Sequence, residues 1–229
     1  LVTNTKMTIN LYNAAARNGV KHVINPISNC AYPGSLEVYK EENFWEGPPH
    51  SSVFYYGLSR RNIVAIANSF KQQYSLYSSN VVLSNMYGPK DHFDIDRSHA
   101  LGALVKKVCD AKIKDEYEVE IWGTGEPIRE WLYVEDGAKA LVKSLELDKP
   151  HQLFNVGINE GISIKDLSHK ISSEADWSGE FRFDTSKPDG VKRKTVDGSL
   201  GQKLLQWTPE VDIDIGIKKT VEWYMNHHE

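Results

Sequence analysis

Short β-branched apolar runs alternate with amphipathic segments along the first part of the chain. Apolar residues at helical spacing predict a helix that ends near Asn18-Gly19 and a second helix over about residues 53 to 74. Strands are predicted over residues 21–27 and 79–87, each followed by a polar or Gly-Pro turn. Helices and apolar strands that alternate at this spacing are typical of βαβ units. The pattern therefore predicts an α/β fold with a parallel sheet.

Further along the chain the alternation continues with shorter elements. Helices are predicted over residues 100–111 and 137–147, and strands over 118–122, 129–134 and 153–157. Ser163 is a predicted helix N-cap, with Asp166 completing a capping box. A strand candidate at 180–183, a polar loop at 184–190 and a final amphipathic helix follow. We therefore expect a main α/β body and a smaller C-terminal lobe.

Composition narrows the range of functions. The 229 residues are 40% hydrophobic and 25% charged, as in an ordinary globular protein with a sizeable core. With 27 Lys and Arg against 31 Asp and Glu, the net charge of −4 argues against a duplex nucleic-acid partner but leaves room for a locally basic pocket. No apolar run approaches the roughly 20 residues that cross a bilayer, and the given residues do not open on a charged-then-apolar signal pattern. We expect no membrane partner, a cytoplasmic location, and free thiols at Cys30 and Cys109.

Groups that can transfer protons stand where strands end and helices begin. Ser28 and Cys30 follow the first predicted strand, Tyr56 opens the next helix, and His99 precedes a later one. Arg60 lies four residues after Tyr56, on the same helical face, where a cation favours the phenolate form. Because the carboxyl ends of parallel strands meet at one edge of a sheet, these groups can line one cleft.

The same residues carry a resemblance to a known family. A serine after a strand, a tyrosine with a cation four residues later, and the stretches at 129–136 and 155–157 resemble the extended short-chain dehydrogenases/reductases that act on nucleotide sugars. Within that family the sequence is most similar to the GDP-L-fucose synthases, which epimerise a 4-keto-6-deoxymannose and then reduce it with NADPH. The features that carry this closer similarity are Ser28-x-Cys30, Asn85-x-Tyr87-Gly88-Pro89, His99, Trp122-Gly-Thr-Gly125 and Ser186-Lys187-Pro188-Asp189-Gly190 with Arg193-Lys194.

The resemblance implies a role for each candidate. Cys30 and His99 would serve epimerisation, one removing a proton beside the keto group and the other returning a proton to the opposite face. During reduction Tyr56 would protonate the resulting oxygen, and Ser28 would donate a hydrogen bond to it. The cofactor, NADP(H) rather than NAD(H), would be bound by Ser28, Tyr56, Arg60, Leu83, Ser84, Asn85 and His99.

A second group of residues would bind the nucleotide-sugar substrate, and no metal is implied. Cations suit a diphosphate, and an indole can stack on a base or a sugar. The residues that match the substrate-binding positions are Asn85, Lys107, Trp122, Arg129, Asp189 and Lys194.

Each candidate also has an interpretation without function. Tyr56 fits a packed aromatic residue, and Tyr55 is a competing phenol, although the residue four positions after it is the uncharged Ser59. Cys30 fits a small buried hydrophobe, and His99 an exposed residue beside a helix N-terminus. The remaining plain interpretations are a turn residue for Ser28, a core residue for Trp122 and solvated surface for Lys107.

Three features depart from the family pattern. Lys107 stands where the family often has arginine, and it lacks the bidentate fork of a guanidinium. Arg60 stands where the family has lysine, which keeps the charge but replaces a compact ammonium with a planar guanidinium. Either Arg60 does the work of the lysine less well, or the redox step of this protein is weakened or lost. No Gly-x-Gly-x-x-Gly follows a first strand, and Gly123-Thr-Gly125 comes too late in the chain. We therefore expect that the N-terminal cofactor-binding part of the fold is missing from this chain, and that these residues alone bind NADP(H) poorly.

Together these observations predict the remainder of a Rossmann-like dinucleotide-binding domain over residues 1–98 and 132–158, with a smaller α/β substrate-binding lobe over 99–131 and 159–229. The predicted function is conversion of a GDP-4-keto-6-deoxy-hexose to GDP-L-fucose or a similar GDP-6-deoxy sugar with NADPH. Two alternatives stay open: another nucleotide-sugar epimerase, reductase or dehydratase of the superfamily, and a nucleotide-sugar-binding protein without catalysis. By analogy to the family we expect a homodimer formed through helices 53–74 and 100–111.

Overall fold

The structure, a computed structural model, describes residues 1–94, 98–148, 150 and 152–227. Residues 95–97, 149, 151, 228 and 229, which fall within the predicted domain ranges, lie outside this description. The described helices are α1 (Val2–Arg17), α2 (Phe54–Tyr74), α3 (Ala100–Ile113), α4 (Val134–Lys143), α5 (Ile164–Glu174), α6 (Ser199–Leu205) and α7 (Ile213–His227). The described strands are β1 (His22–Ser28), β2 (Val38–Tyr39), β3 (Tyr77–Leu83), β4 (Asn85–Tyr87), β5 (Glu118–Trp122), β6 (Ile128–Arg129), β7 (Trp131–Tyr133), β8 (Gln152–Val156), β9 (Ile162–Ser163), β10 (Glu180–Asp184) and β11 (Arg193–Val196).

Two compact units make up the chain, and each is discontinuous in sequence. The first unit comprises Leu1–Asn85, Gly137–Asn159 and Thr195–Thr208. The second unit comprises Met86–Asp136, Glu160–Lys194 and Pro209–Glu229. The assignment of one part of the chain to dinucleotide binding and of the other to substrate binding stays a prediction.

The first unit is built on a parallel sheet with the strand order β1-β3-β8. Six of the seven residues of β3 are buried, as expected for a strand covered on both faces of a parallel sheet. Helices α1 and α2 pack together, and Tyr12 of α1 is fully buried with Ala67 of α2. The apolar side chains of the first unit are thus buried between helices and sheet, in the arrangement that the alternating pattern predicts.

A buried polar cluster around Asn155 of β8 ties that strand to the segment after β2. The Tyr32 hydroxyl donates to Asn155 Oδ1 (2.7 Å), and Asn155 Nδ2 donates to the Tyr39 carbonyl (3.0 Å). The Asn155 backbone N–H donates to Glu41 Oε1 (2.7 Å). Burial raises the pKa of the Glu41 carboxyl and that of the Tyr32 phenol above their usual ranges, because each charged form loses hydration.

The second unit has a core formed by α3, α5 and α7 together with short paired strands. Strand β5 pairs with β10 in parallel, which places Trp122 opposite Asp184. Strand β6 pairs with β11 in parallel and with β9 antiparallel. The largest buried cluster includes Leu101, Val105 and Ile217. None of the helices in the described residues combines the length and the apolarity needed to cross a membrane.

Most of the predicted helices and strands agree with these elements, and the differences are local. The predicted helix over 53 to 74 is α2, but the strand over 79–87 is interrupted at Ser84 and forms β3 and β4. The predicted helix over 137–147 begins earlier, at Val134, and ends in a short 3₁₀ turn. Strands β2, β9 and β11 and helix α6 are not predicted, and each of them is seven residues long or shorter.

Glu41→Gln tests the polar cluster. Because burial raises the folded-state pKa above the unfolded value, the stabilising contribution of the neutral carboxyl is complete below the usual pKa of about 4.3 and is lost as the pH rises through the folded pKa. Gln keeps an oxygen that accepts from the Asn155 N–H and carries no charge. We expect the variant to be at least as stable as wild type at pH 7, with the difference vanishing towards pH 4.

Urea unfolding at the two pH values measures this effect. Glu37→Gln, at an exposed position before β2, is the matched control and should show no such pH-dependent gain. A Glu41→Gln protein that is less stable than wild type at pH 7 would contradict the account of this cluster.

Candidate active site

Three strands of the first unit end at the same level. In the ladder of β1 with β3, Ser28 is opposite Leu83, and in the ladder of β3 with β8, Leu83 is opposite Val156. The residues that come next along the chain are therefore neighbours: Asn29 Nδ2 donates to Asn85 Oδ1 at 3.5 Å. One edge of this sheet thus brings together five of the predicted site residues, Ser28, Cys30, Leu83, Ser84 and Asn85.

Ser28 caps the short turn that contains Cys30. Residues Asn29–Ala31 form a 3₁₀ helix, and Ser28 Oγ accepts a hydrogen bond from the Cys30 backbone N–H at 3.2 Å. The hydroxyl accepts in this bond and keeps its own hydrogen to donate elsewhere. Cys30 is half-buried, whereas Cys109 in α3 is fully buried, and burial raises the pKa of the Cys109 thiol to about 12. Both are free thiols, as predicted.

Helix α2 lies directly against this turn because Gly57 has no side chain. A Cβ at position 57 would lie 2.3 Å from the Cys30 carbonyl oxygen and 2.7 Å from Pro49 Cβ, closer than Cβ atoms approach in proteins. Arg61, one turn further along α2, donates from Nε to the Ala31 carbonyl at 2.6 Å. The first turn of α2, which carries Tyr56 and Gly57, is thereby held on the Cys30 turn.

Tyr56 and Arg60 form the pair that their spacing predicts. The guanidinium carbon of Arg60 lies over the Tyr56 ring, 4.6 Å from its centroid. Tyr56 is 42% exposed, so its ring is covered on one side and accessible on the other. The competing Tyr55 is 68% exposed and packs edge-on against Phe54, with no cation over its ring in the described part of the chain.

Two buried polar atoms near these residues lack partners among the described residues. Ser84 Oγ lies at the end of β3, where Ser84 is 5% exposed, and Arg60 Nε is buried beside Tyr56. Buried polar atoms are normally hydrogen-bonded, so each fits a contact with a bound group. Both belong to residues predicted to bind the cofactor, and hydroxyl-rich ribose is a ligand of the required hydrogen-bonding type.

The second unit contains a cavity of about 270 Å³ lined by four of the predicted substrate-binding residues. Lys107 comes from α3, Trp122 ends β5, and Arg129 ends β6. Trp122 is 65% exposed, so it is not a core residue. The Lys107 ammonium donates to the Glu120 carbonyl at 2.9 Å and lies 5.9 Å from the Trp122 ring centroid. An exposed indole with cations beside it suits a ligand that contains a planar base and phosphate.

The polar loop after β10 is bound to the turn after β5. Thr124 donates from its backbone N–H to Asp189 Oδ1 (2.6 Å) and from its hydroxyl to Asp189 Oδ2 (2.8 Å). Gly123 has φ +83°, and a Cβ there would lie 2.2 Å from Asp189 Oδ1. The Lys187 ammonium lies 5.6 Å from the Trp122 ring centroid. Asp189 therefore reaches the cavity wall as part of a fixed turn-to-loop contact.

The two remaining predicted residues also lie in the second unit. His99 is the N-cap residue of α3, and its side chain makes no capping hydrogen bond. It directly precedes Ala100, which lines the cavity. Lys194 of β11 is opposite Arg129 of β6 in the parallel ladder. The second unit thus holds His99, Lys107, Trp122, Arg129, Asp189 and Lys194, while the first unit holds Tyr56, Arg60 and the sheet-edge residues.

The model of the NAD dependent epimerase/dehydratase family matches residues 1–157. The chain belongs to this family. Among curated relatives, the GDP-L-fucose synthase of Sinorhizobium fredii (strain NBRC 101917 / NGR234) is 32% identical over 227 residues, which are 98% of this chain and 71% of the relative. The GDP-L-colitose synthase of Yersinia pseudotuberculosis is 32% identical over 229 residues, 99% of this chain and 74% of that protein.

Solved structures give the same family. A GDP-L-fucose synthetase from Naegleria fowleri, crystallised with NADP, superposes with a TM-score of 0.89 at 27% identity. The match covers 97% of this chain and 72% of that one. The Rossmann-like α/β fold expected from the sequence is therefore confirmed, and this chain is an epimerase/dehydratase-family protein.

Several residues that shape the site of this epimerase/dehydratase-family chain are not predicted from the sequence. Gly57, Arg61, Thr124 and Lys187 each contact or position a predicted residue. A glycine inside a helical pattern is a signal of close backbone approach, and it was available at Gly57. A charged residue in the buried stripe of α2 was a second signal, at Arg61. The contact of Thr124 with Asp189 joins residues far apart in sequence, and no local pattern indicates it.

Proposed function

We propose that the protein is an NADP(H)-dependent epimerase/reductase that converts a GDP-4-keto-6-deoxy-hexose to GDP-L-fucose or a similar GDP-6-deoxy sugar. The observation that carries the proposal is the close approach of α2 to the Cys30 turn, where Gly57 meets the Cys30 carbonyl. This approach holds the helix that carries Tyr56 and Arg60 against the turn that contains Cys30 and is capped by Ser28. A phenol, a thiol and a serine hydroxyl are the groups that the two half-reactions require. The names of the two relatives, GDP-L-fucose synthase and GDP-L-colitose synthase, support a GDP-linked deoxy sugar.

In this proposal the first unit is the dinucleotide-binding part and the second unit is the substrate-binding lobe. The parallel sheet β1-β3-β8, with Ser28, Leu83 and Val156 at one level, supports the first assignment, since ligands bind beyond the carboxyl ends of such strands. The cavity beside Trp122 and Lys107 supports the second.

The residues at the sheet edge fit the nicotinamide and ribose end of NADP(H). Ser84 Oγ and Arg60 Nε are buried and unpartnered within the described residues, and both would bind there with Tyr56, Leu83 and Asn85. His99, from the second unit, is assigned to the same end of the cofactor. When bound, NADPH supplies the hydride that reduces the 4-keto group.

Epimerisation is assigned to Cys30 and His99. A 4-keto group acidifies the protons on its neighbouring carbons, so a base can remove one as electrons move onto the keto oxygen. In the proposal one of the two residues takes this proton, and the other returns a proton to the same carbon from the opposite face. A thiol and an imidazole suit this exchange because both ordinarily titrate near neutral pH.

Reduction is assigned to Tyr56 and Ser28. As the C4 carbonyl becomes an alkoxide, Tyr56 donates its phenolic proton to that oxygen, which completes the hydroxyl. Ser28, whose hydroxyl keeps a hydrogen to donate, stabilises the developing negative charge. Arg60, over the Tyr56 ring, stabilises the phenolate that remains.

The GDP part of the substrate is assigned to the cavity of the second unit. Trp122 supplies an exposed aromatic face, and Lys107, Arg129 and Lys194 supply positive charge for the diphosphate. Asn85, at the sheet edge of the first unit, is assigned to the sugar.

The proposal includes a homodimer and a cytoplasmic location. Exposed aromatic side chains on α2, Tyr55 at 68% and Tyr74 at 57%, support the use of this helix as an interface with a second copy.

Two substitutions separate the proposed half-reactions. With the full-length protein, NADPH and a GDP-4-keto-6-deoxy sugar, we expect NADPH oxidation, followed by its absorbance. Cys30→Ser should lose deuterium exchange from D2O into the keto sugar by about 100-fold or more, because a proton-transfer group is removed. Tyr56→Phe should keep that exchange and lose NADPH oxidation to a similar extent, with Tyr55→Phe as the matched control. Absence of NADPH oxidation with any nucleotide 4-keto sugar would refute the proposal, and exchange unaffected by Cys30→Ser would indicate a plain reductase.

Arg60→Lys restores the residue found in the family. A compact ammonium keeps the charge beside Tyr56 and can bond the cofactor ribose, so we expect NADPH oxidation at a similar or higher rate. Arg60→Met removes the charge and should slow the reaction. Complete loss of activity in Arg60→Lys would mean that the role assigned to this face of α2 is wrong.

A further inference from the structure

Arg61 is a buried cation without a carboxylate partner. It is 8% exposed, and among the described residues its nitrogen atoms bond to no acidic side chain. Its Nη2 is buried with no hydrogen-bond partner in the same part of the chain. Burial lowers the pKa of the guanidinium, because the charged form loses hydration. An apolar side chain of similar length would fill this place without that cost, so the cation is expected to do something that packing alone does not.

Within the described part of the chain, the side chain of Arg61 makes its hydrogen bond to the turn that contains Cys30. Its Nε donates to the Ala31 carbonyl at 2.6 Å. Ala31 ends the 3₁₀ helix Asn29–Ala31, where carbonyl groups lack partners within the helix. Ser28 caps the other end of the same turn through the Cys30 N–H. The turn is therefore held at both ends, by its own serine and by a side chain from α2.

The guanidinium is fixed in this position by its surroundings. Its central carbon lies 5.8 Å from the Phe44 ring centroid and 5.9 Å from that of Trp45. Phe44 is fully buried, so one wall of the site belongs to the core of the first unit. Because Gly57 holds the Cys30 carbonyl against α2 one turn earlier, two neighbouring carbonyls of the turn are fixed by the same helix.

We propose that Arg61 is a positioning residue that holds Cys30 in place for epimerisation through its hydrogen bond to the Ala31 carbonyl. The inference rests on the proposed function of Cys30. Tyr56 is on α2 itself and does not depend on this bond for its position. The inference therefore predicts that changes at Arg61 impair proton exchange and spare hydride transfer.

The side chains of Gln and Met separate the hydrogen bond from the packing. In Arg61→Gln the amide nitrogen is attached to Cδ, as Nε is in arginine, so a donor to the Ala31 carbonyl is kept while the charge is lost. Arg61→Met keeps the apolar length and has no donor. Lys71→Met removes an exposed cation from the same helix and is the control.

Two reactions of the full-length protein are compared. Deuterium exchange from D2O into the 4-keto sugar reports epimerisation, and single-turnover oxidation of the GDP-6-deoxy sugar by NADP+ reports hydride transfer without epimerisation. We expect Arg61→Met to slow exchange by about tenfold or more, since a displacement of roughly 1 Å can cost about 100-fold. Hydride transfer should be unchanged, Arg61→Gln should restore most of the exchange, and Lys71→Met should match wild type.

Thiol labelling of the native protein gives a readout that does not depend on catalysis. Cys30 is half-buried and Cys109 is fully buried, so Ellman's reagent should report Cys30 alone. Loosening of the turn in Arg61→Met should increase the labelling rate of Cys30 several-fold, and Arg61→Gln should return it towards the wild-type rate.

Several results would overturn the inference. One is that exchange and labelling are unchanged in Arg61→Met. Another is that exchange is lost equally in the Gln and Met variants. A third is that exchange and hydride transfer fall together with the folded fraction. Cys30→Ser, measured in the same assay, distinguishes a failure of the Arg61 inference from a failure of the role assigned to Cys30. If Cys30→Ser loses exchange and Arg61→Met keeps it, the inference alone is wrong. If Cys30→Ser keeps exchange, the role assigned to Cys30 is wrong, and the inference falls with it.

Discussion

The close contact between Gly57 and the Cys30 carbonyl is the constraint on which the first unit's site depends. A Cβ at position 57 would lie 2.3 Å from that oxygen, so α2 can pack this closely only with glycine there. Glycine in a helix interior costs roughly 0.5–1 kcal/mol relative to alanine. In return, the close approach holds the helix that carries Tyr56 against the turn that contains Cys30. The Arg61 side chain, one turn further along the helix, holds the same turn through its hydrogen bond to the Ala31 carbonyl.

Much of this unit could be predicted from local pattern. The apolar runs that form β1 and β3 and the stripe that forms α2 are visible in the sequence, and polar residues directly after β1 and β3 indicate the ligand edge of a parallel sheet. The Tyr56–Arg60 pair follows from helical spacing alone, and the structure shows it at 4.6 Å. Local pattern does not predict the burial of individual polar atoms. Whether a hydroxyl such as Ser84 Oγ is buried depends on which elements cover it.

The second unit shows why the remainder could not be predicted. Its cavity is built where a glycine turn after β5 meets a polar loop after β10, and Thr124 bonds Asp189 across 65 positions of sequence. Each segment alone has the composition of a solvated loop. Strand β11 is four residues long and finds its partner β6 more than 60 residues earlier, so neither periodicity nor propensity marks it. Family resemblance, not periodicity, pointed to Trp122, Arg129 and Asp189 as substrate-binding residues.

The most direct test of the central claim is the free energy of unfolding of Gly57→Ala, measured by urea denaturation. Helix propensity alone predicts that alanine stabilises α2 by roughly 0.5–1 kcal/mol. The contact with the Cys30 carbonyl predicts the opposite, a protein destabilised by about 1–3 kcal/mol, as for overpacked sites. A Gly57→Ala protein as stable as wild type, or more stable, would contradict the claim that this contact holds α2 and the Cys30 turn together.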